Sequence, residues 1–411
     1  MYLAGVSADA KLPRGTLRRV ATGNVLALGT VSLVTDVSAE MVTAVLPAFL
    51  VLGLHLSLAQ YGALDGLYTG ATALTRLAGG YLADRFGHRK LVALVGYALS
   101  AVAKVGLLGS PGAATVGAVI ELDRTGKGIR TAPRDALIAA SVPERDLGSA
   151  FGVHRAMDSA GAFLGPLAAL GVLLLAATAT PDYGAVFVAS LCVAGIGLVV
   201  LVLFVRETPL DPAAGRTATG ADLRARELLG AGTFRRLCAV AALLGLVTIG
   251  DGFVYLVLQD RDDLPVRVFP LLAVGTSLSF LLLAVPLGRL ADRVGRWPVV
   301  VLGYACLLTV YLMLSTGSGP IWLVLALYGA FYAATDGVLA ALAVPLIPPR
   351  LRTTGLALLQ TGQALAYLVS SVAFGLLWQG AGVRVACLSA AVVAAALLPL
   401  CAVLLRGRAD R

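Results

Sequence analysis

Residues 80–90 read GYLADRFGHRK and lie between two long apolar runs. The chain repeats this segment at residues 288–296 as GRLADRVGR, 208 residues later and again between apolar runs. A short charged segment with glycines in this position predicts a tight loop that joins two antiparallel membrane helices. Glycine tolerates positive φ, and the charges hold the turn in water. Two copies half a chain apart predict a protein with two related halves.

The first copy resembles the loop between the second and third spans of the major facilitator superfamily. The second copy resembles the fainter repeat of that loop between the eighth and ninth spans. The resemblance extends from about Arg18 to Leu405 and departs from the family at His88, where arginine or lysine is usual. It implies an all-α membrane protein with twelve transmembrane helices in two pseudo-symmetric six-helix bundles. It also implies secondary transport, in which the halves rock around a central site.

The composition independently indicates a membrane protein. Of the 411 residues, 58% are hydrophobic and 13% are charged, whereas soluble domains are about 45–50% apolar and about 25% charged. The 5 cysteines lie singly in apolar runs, so the sequence indicates neither a disulfide framework nor a metal site. No run of the kind that cradles ATP phosphates is present, and no nucleophile set is visible. We therefore expect a carrier without a cofactor and not an enzyme.

The net charge of +9 follows a topological pattern. Basic residues concentrate in the N-terminal tail and in every second loop, which predicts that both termini are cytoplasmic, and the resemblance implies a bacterial inner membrane. The charge therefore does not indicate a nucleic-acid partner, and we expect a monomer in the lipid bilayer. The predicted divisions are a tail at 1–20, a bundle at 21–205, a linker at 206–236, a second bundle at 237–405 and a tail at 406–411.

Ionisable side chains inside the spans are candidate functional residues, because each costs about 2.5–3.5 kcal/mol on insertion scales. Three such residues of the first half, Asp65, Arg76 and Lys104, are noted but are not among the named candidates. The candidates for proton coupling or substrate binding are Asp36, Glu40, Glu121, Asp123, Arg124, Lys127, Arg130, His154, Arg155 and Asp158 in the first half, and Asp251 and Asp336 in the second. The imbalance predicts that the first half carries out the charge chemistry and the second supplies an apolar wall.

Span four has the highest density of charge. Arg124, Lys127, Arg130 and Arg134 fall within an arc of about 120° on a helix, so this basic face cannot point to lipid. Residues 124–130, RTGKGIR, resemble a span-four motif of the superfamily whose arginine is associated with proton coupling, although Lys127 and Arg130 depart from it. The resemblance is to the drug/proton antiporter branch and to a bacterial subgroup without assigned substrates.

Three interpretations of this face remain open. It could be a structural network in which Glu121 pairs with Arg124 and in which Arg155 and His154 both pair with Asp158. It could couple proton binding to conformation through carboxylates beside mobile cations. It could also bind a phosphate or carboxylate substrate.

Asp36 and Asp251 lie at about the same depth in the first spans of the two halves, so we expect both to face a cavity at mid-membrane. Glu40 follows Asp36 by four residues, and two carboxylates on one helix face are suited to carrying a proton. Alternatively, Glu40 lies in water near the outer surface. Asp336 aligns near Arg130 under the repeat, which predicts a pair across the pseudo-twofold axis.

The repeated loops predict a cytoplasmic latch between the halves. In this interpretation, Asp84 lies at the N-terminus of span eleven or pairs with Arg134, while Arg89 pairs with Asp135. The alternative is a loop stabilised by local pairs. The predicted gate residues are Gly80, Asp84, Arg85, Gly87, Arg89, Arg134, Asp135, Gly288, Asp292 and Arg293.

Residues 161–166, GAFLGP, resemble the span-five antiporter motif of the superfamily, although its closing glycines are replaced by Ala168 and Ala169. Gly161, Gly165 and Pro166 are predicted to form either a hinge or a packing kink. Together, the features favour proton-coupled efflux of a small organic compound, with that compound and the proton as partners. The alternatives are uptake or exchange of an anionic metabolite along span four, and a non-transporting membrane sensor.

Overall fold

The computed structural model describes residues 23–70, 75, 88–109, 112–143, 146–176, 181–207, 230, 232–336, 338–347 and 352–406, most of them helical. The predicted tail at 1–20, most of the linker, and Gly80, Asp84, Arg85 and Gly87 of the predicted gate lie outside the described residues. Nine helices of the described part are long and apolar enough to cross a membrane. This agrees with the predicted multi-span, all-α class.

The first half contains helices α1 to α6. They are α1 (Gly23–Ala48, extended by a π-helical turn at Phe49–Gly53), α2 (residues 58–70, with Thr75 also helical), α3 (Arg89–Leu108), α4 (Ala113–Ala139), α5 (Leu147–Leu175) and α6 (Tyr183–Phe204). The second half contains α7 to α12. They are α7a (Gly232–Val247), α7b (Asp251–Arg261), α8 (Pro270–Val294), α9 (Arg296–Thr316), α10a (Ile321–Thr335), α10b (Val338–Ala343), α11 (Arg352–Ala381) and α12 (Val383–Arg406).

The same packing pairs recur in both halves. Helix α1 packs against α5 and α6, and α7a packs against α11 and α12 in the equivalent way. Helix α3 packs against α4 and α6, while α9 packs against α10a and α12. Each pair has its counterpart six helices later, as expected for two bundles related by a repeat. The two bundles meet where α5 contacts α8 and where α1 contacts α7b.

The second copy of the repeated segment forms a much shorter turn than predicted. Helix α8 continues through Gly288, Asp292 and Arg293 to Val294, and only Gly295 separates it from α9. Gly295 has φ of 94°, a conformation that favours glycine, so one residue is sufficient to reverse the chain. Asp292 and Arg293 are exposed at this end of the bundle.

Helices α1 and α5 approach each other closely through the predicted hinge. A Cβ atom on Gly161 would collide with the backbone of Leu33, and one on Gly165 would contact Val37 and Glu40 of α1. Helix α5 also runs without interruption past Pro166. These glycines therefore serve close helix packing, whereas their role as a hinge stays a prediction.

Two spans of the second half are broken, which the sequence did not predict. Span seven loses helical structure at residues 248–250 between α7a and α7b. Span ten ends its first helix at Thr335, and Asp336 has an extended conformation. Each break lies beside one of the two carboxylates predicted in the second half.

Candidate functional site

A cavity of about 620 Å³ lies between the bundles. Helices α1, α2, α4 and α5 line one side, and α7, α8, α9, α10 and α11 line the other. This volume is in the range of small-molecule sites, about 300–1,000 Å³. A site between halves can also alternate its access when the halves move.

Aromatic rings from both halves pack together at the end of the cavity that Tyr61 lines, which we call the sealed end. Tyr61 of α2 contacts Phe253 of α7b with ring centroids 4.8 Å apart, and Phe253 contacts Phe374 of α11 at 4.9 Å. Trp378 extends the cluster, with its ring centroid 6.1 Å from that of Phe374. We call these four residues the aromatic plug.

The basic wall of the cavity belongs to α4. Arg124 is buried, donates from Nε to Asp123 Oδ2 at 2.9 Å, and lies 3.9 Å above the Tyr68 ring. Asp123 also lies 3.9 Å from Lys104 Nζ on α3. The predicted pair between Glu121 and Arg124 is therefore wrong. Arg124 pairs instead with Asp123, which also lies near Lys104.

Glu40 and Lys127 are the charged groups of the first half that are available to a ligand. Both line the cavity, and neither side chain forms a hydrogen bond or ion pair with any residue that the structure describes. Glu40 thus faces the cavity between the bundles, and the alternative that placed it at the outer surface is wrong.

Asp36 does not line the cavity, contrary to the prediction. Its Oδ1 lies 3.9 Å from Arg130 Nη2, on the side of α1 that packs inside the first bundle. Arg130 also lies 4.3 Å above the Tyr97 ring. The predicted pair of Arg130 with Asp336 is wrong, because Arg130 finds its counter-charge within its own half.

Asp158 connects α5 to this internal network. It accepts a hydrogen bond from Ser32 at 3.1 Å and lies 3.9 Å from Arg134 Nη1. The predicted pair of Arg155 with Asp158 is confirmed at 3.5 Å. The predicted pair of His154 with Asp158 is not formed, since both ring nitrogens of His154 are buried without a hydrogen-bond partner among the described residues.

The predicted gate residues on α4 pair with each other. Arg134 Nη2 lies 2.9 Å from Asp135 Oδ1, so Asp135 pairs with its neighbour and not with Arg89. Arg89 Nε has no hydrogen-bond partner in the described part of the chain.

Asp251 begins α7b, directly after the break in span seven. Its Oδ1 accepts a hydrogen bond from Tyr332, and the Tyr328 hydroxyl lies 3.2 Å from the same oxygen. Tyr311 donates to the carbonyl of Val247 at 2.8 Å and accepts from the amide of Ile249 at 3.1 Å. The tyrosines of α9 and α10a thus satisfy the backbone groups that the break exposes.

The second half is not the apolar wall that the sequence predicted. Its polar lining residues include Thr248, Asp251, Tyr255, Thr276, Tyr304, Tyr332, Asp336, Gln360, Gln363 and Tyr367. Among the described residues, the basic side chains that line the cavity, Arg124 and Lys127, both come from the first half. The first half therefore contributes both charge signs, and the second contributes carboxylates, hydroxyls and amides.

Asp65 of α2 also lines the cavity, although the sequence marked it only as an ionisable residue inside a span, and it was not among the candidates for proton coupling or substrate binding. Its Oδ2 accepts hydrogen bonds from Tyr367 at 2.7 Å and from Ser371 at 2.5 Å, both on α11 of the other half. The available signal was its position as an ionisable residue inside a span. Its partners lie about 300 residues away and could not be found by local spacing.

The sequence model of the Major Facilitator Superfamily matches residues 28–275 and 262–411. The chain is 31% identical over 374 residues to an uncharacterized MFS-type transporter of Methanocaldococcus jannaschii, covering 87% of this chain and 88% of that protein. A crystal structure of a mutant of the nucleoside transporter NupG superposes with a TM-score of 0.81 at 14% identity, covering 92% of this chain and 99% of that one. A crystal structure of a bacterial homolog of the human lysosomal transporter Spinster, in an inward-facing and occupied conformation, superposes with a TM-score of 0.70 at 16% identity. The superposition covers 93% of this chain and 96% of that one.

Proposed function

The chain belongs to the Major Facilitator Superfamily and is a multi-pass membrane transporter, and we propose that it exports a small organic compound in exchange for protons. The cavity between the bundles is the site where this compound binds. Alternating access moves it across the membrane as the bundles rock. The protein acts as a carrier and not as an enzyme.

The observation that carries this proposal is the position of Asp251. Its carboxylate faces the cavity from a helix break, is oriented by tyrosine hydroxyls, and forms no ion pair with the residues that the structure describes. A carboxylate in such a place is stabilised by binding a positive charge. A proton and a substrate group that compete for the same carboxylate exclude each other, which is the requirement for antiport.

Glu40 supports the same mechanism from the other half. It lines the cavity without an ion pair to the described residues and lies one helical turn from Asp36 on α1. The network of Asp36, Arg130, Arg134 and Asp158 thus begins directly behind it. The side chains of this network, on α1, α4 and α5, are polar groups that a proton from Glu40 could bind.

We further propose that the protein works as a monomer in a bacterial inner membrane with both termini in the cytoplasm, divided as the sequence predicts. The basic residues of the alternate loops support this orientation. The aromatic plug then lies toward the outside, and the cavity opens toward the cytoplasm. The latch of the two repeated loops would close the cytoplasmic side in the opposite state.

The test uses purified protein in liposomes that contain a pH-sensitive dye and a candidate compound. Antiport predicts that the lumen acidifies as the loaded compound leaves, whichever way the protein is inserted. Glu40→Gln is expected to lose this acidification. Glu121→Gln on α4 is the matched control, because Glu121 is not part of the cavity lining.

Lys127 supports a second candidate function, the uptake or exchange of an anionic metabolite. It faces the cavity without an ion pair to the described residues, so it could bind a phosphate or carboxylate group. In the same assay, glycerol phosphate would then move without acidification, and Lys127→Gln would stop it. If neither organic cations nor anions moved, a non-transporting sensor would be favoured.

A further inference from the structure

We propose that Asp65 is a coupling residue, which ties proton binding to the opening of the sealed end of the cavity. This inference deepens the proposed transport mechanism and rests on it. Asp65 bridges the halves, because its Oδ2 accepts from both Tyr367 and Ser371 of α11. It also lines the cavity, so a proton that enters the cavity can reach it.

The sealed end brings α2 and α11 into backbone contact around this bridge. A Cβ atom on Gly62 would collide with the carbonyl of Ser371, and one on Gly375 would collide with that of Leu58. A Cβ atom on Gly66 would likewise collide with Leu368. The helices can therefore come no closer, and alternating access requires them to separate here.

Separation removes both hydroxyl donors from Asp65. A carboxylate left in the gap without donors or a counter-charge is costly. A proton on Asp65 removes that cost, because the acid is neutral. It also weakens the closed arrangement, since a hydroxyl bonds a carboxylate about twice as strongly as a neutral acceptor. Both effects shift the protein toward the state that is open at this end.

The geometry allows a proton to bind without displacing the bridge first. Both hydroxyls bond Oδ2, and Oδ1 has no hydrogen-bond partner in the described part of the chain. A proton on Oδ1 leaves Oδ2 as a neutral carbonyl acceptor. The bridge is then weakened but still formed, so opening follows proton binding.

In the described part of the chain, the titratable groups around Asp65 are acidic or phenolic. The titratable groups that face it are Asp251 of α7b, Tyr61 of α2 and Tyr367 of α11. Gly250, which precedes Asp251, packs against the Asp65 carboxylate and the Tyr367 hydroxyl. No described Lys, Arg or His forms an ion pair with Asp65. A change of charge at Asp65 therefore alters the electrostatic potential at Asp251, the second carboxylate, across the interface.

The test measures the opening directly, by electron-spin distance measurements between labels on α2 and α11. Ala63→Cys and Leu376→Cys place the labels at exposed positions in a background without the five native cysteines. We expect mainly the short distance at about pH 8 and a growing long component at about pH 5. Asp65→Asn should raise the ratio of the long-distance population to the short-distance population about tenfold at pH 8, and it should abolish the change of this ratio with pH.

Tyr367→Phe and Ser371→Ala should each raise the long component while keeping a pH response, since each removes one donor and leaves Asp65. Asp182→Asn is the matched control. Asp182 accepts a hydrogen bond from the amide of Ala185 at the start of α6 and does not line the cavity, so its variant should behave as the wild type. Thermal melting of each variant confirms that it is folded.

An unchanged pH response in a folded Asp65→Asn protein would overturn the role of Asp65, as would the absence of any pH response in the wild type. The proposed antiport is tested separately by lumen acidification. Acidification that persists in Asp65→Asn would leave antiport intact and reject this inference. A pH response that depends on Asp65, without acidification by any loaded compound, would reject antiport alone.

Discussion

Tyr332 donates its hydroxyl hydrogen to Oδ1 of Asp251 and so joins α10a to the first residue of α7b. Both residues line the cavity. The bond crosses between the two broken spans of the second half, and it fixes the direction of a carboxylate at the point where the helix of span seven is interrupted. The cavity therefore has an acidic group, held by this hydrogen bond, on the side opposite to the basic face of α4.

Replacement of Asp251 by asparagine should abolish exchange, because the amide cannot take up and release a proton. We expect the rate of substrate-driven acidification to fall at least about tenfold, which corresponds to ~1.4 kcal/mol in the activation free energy. Tyr332→Phe should cause a smaller loss, since Tyr328 still lies near the same oxygen. Equal rates for Asp251→Asn and the wild type would contradict the assigned role.

Arg124 and Lys127 should differ sharply in their contribution to stability, although both line the cavity. Arg124→Gln leaves the largely buried Asp123 with Lys104, 3.9 Å away, as its remaining ion-pair partner among the described residues, and breaking a buried pair costs about 3–5 kcal/mol. Lys127→Gln should leave the melting temperature nearly unchanged. Thermal unfolding in detergent measures both, and similar losses for the two variants would show that Lys127 also has a structural partner.

Gly161→Val should destabilise the first bundle, because its side chain would enter the backbone of α1 at Leu33. Overpacking of this kind costs about 1–3 kcal/mol. Gly171→Val is the matched control on the same helix, since a Cβ atom there meets nothing within 4 Å. Comparing the melting temperatures of Gly161→Val and Gly171→Val removes the effect of valine on helix propensity, which both variants share. Equal melting temperatures would mean that α1 can move away from the new side chain.

Asp84→Asn should slow transport if the repeated loops form a latch, because the neutral side chain loses its attraction to a helix N-terminus or to Arg134. Asp292→Asn, at the equivalent place in the second copy, is the comparison. Asp292 is exposed on α8, so we expect a weaker effect. Initial transport rates measure both, and full activity of Asp84→Asn would remove the latch.

The fold could be predicted because its determinants are local and repeated. Apolar runs of span length identify the helices, and the second copy of residues 80–90 reveals the duplication. The charged face of α4 was also visible, since residues at positions 124, 127, 130 and 134 share one side of any α-helix.

The partners of these charges could not be predicted, because helical periodicity does not tell which neighbour a face meets. Asp36 and Asp251 occupy similar depths, yet one turns into its own bundle and the other faces the cavity. The break in span seven was also invisible, since residues 248–250 are Thr, Ile and Gly and do not interrupt the apolar run. Its stabilisation by Tyr311 and Tyr328 depends on tertiary contacts alone.

The most direct test of proton-coupled export is the pH inside liposomes that contain the wild-type protein and a loaded compound, with tetraphenylphosphonium and glycerol phosphate as first probes of the two charge classes. As an exported compound leaves, the lumen should acidify in the wild type and in Glu121→Gln, but not in Glu40→Gln or Asp251→Asn. Release of the compound at the wild-type rate without acidification, or with alkalinisation, would contradict the account.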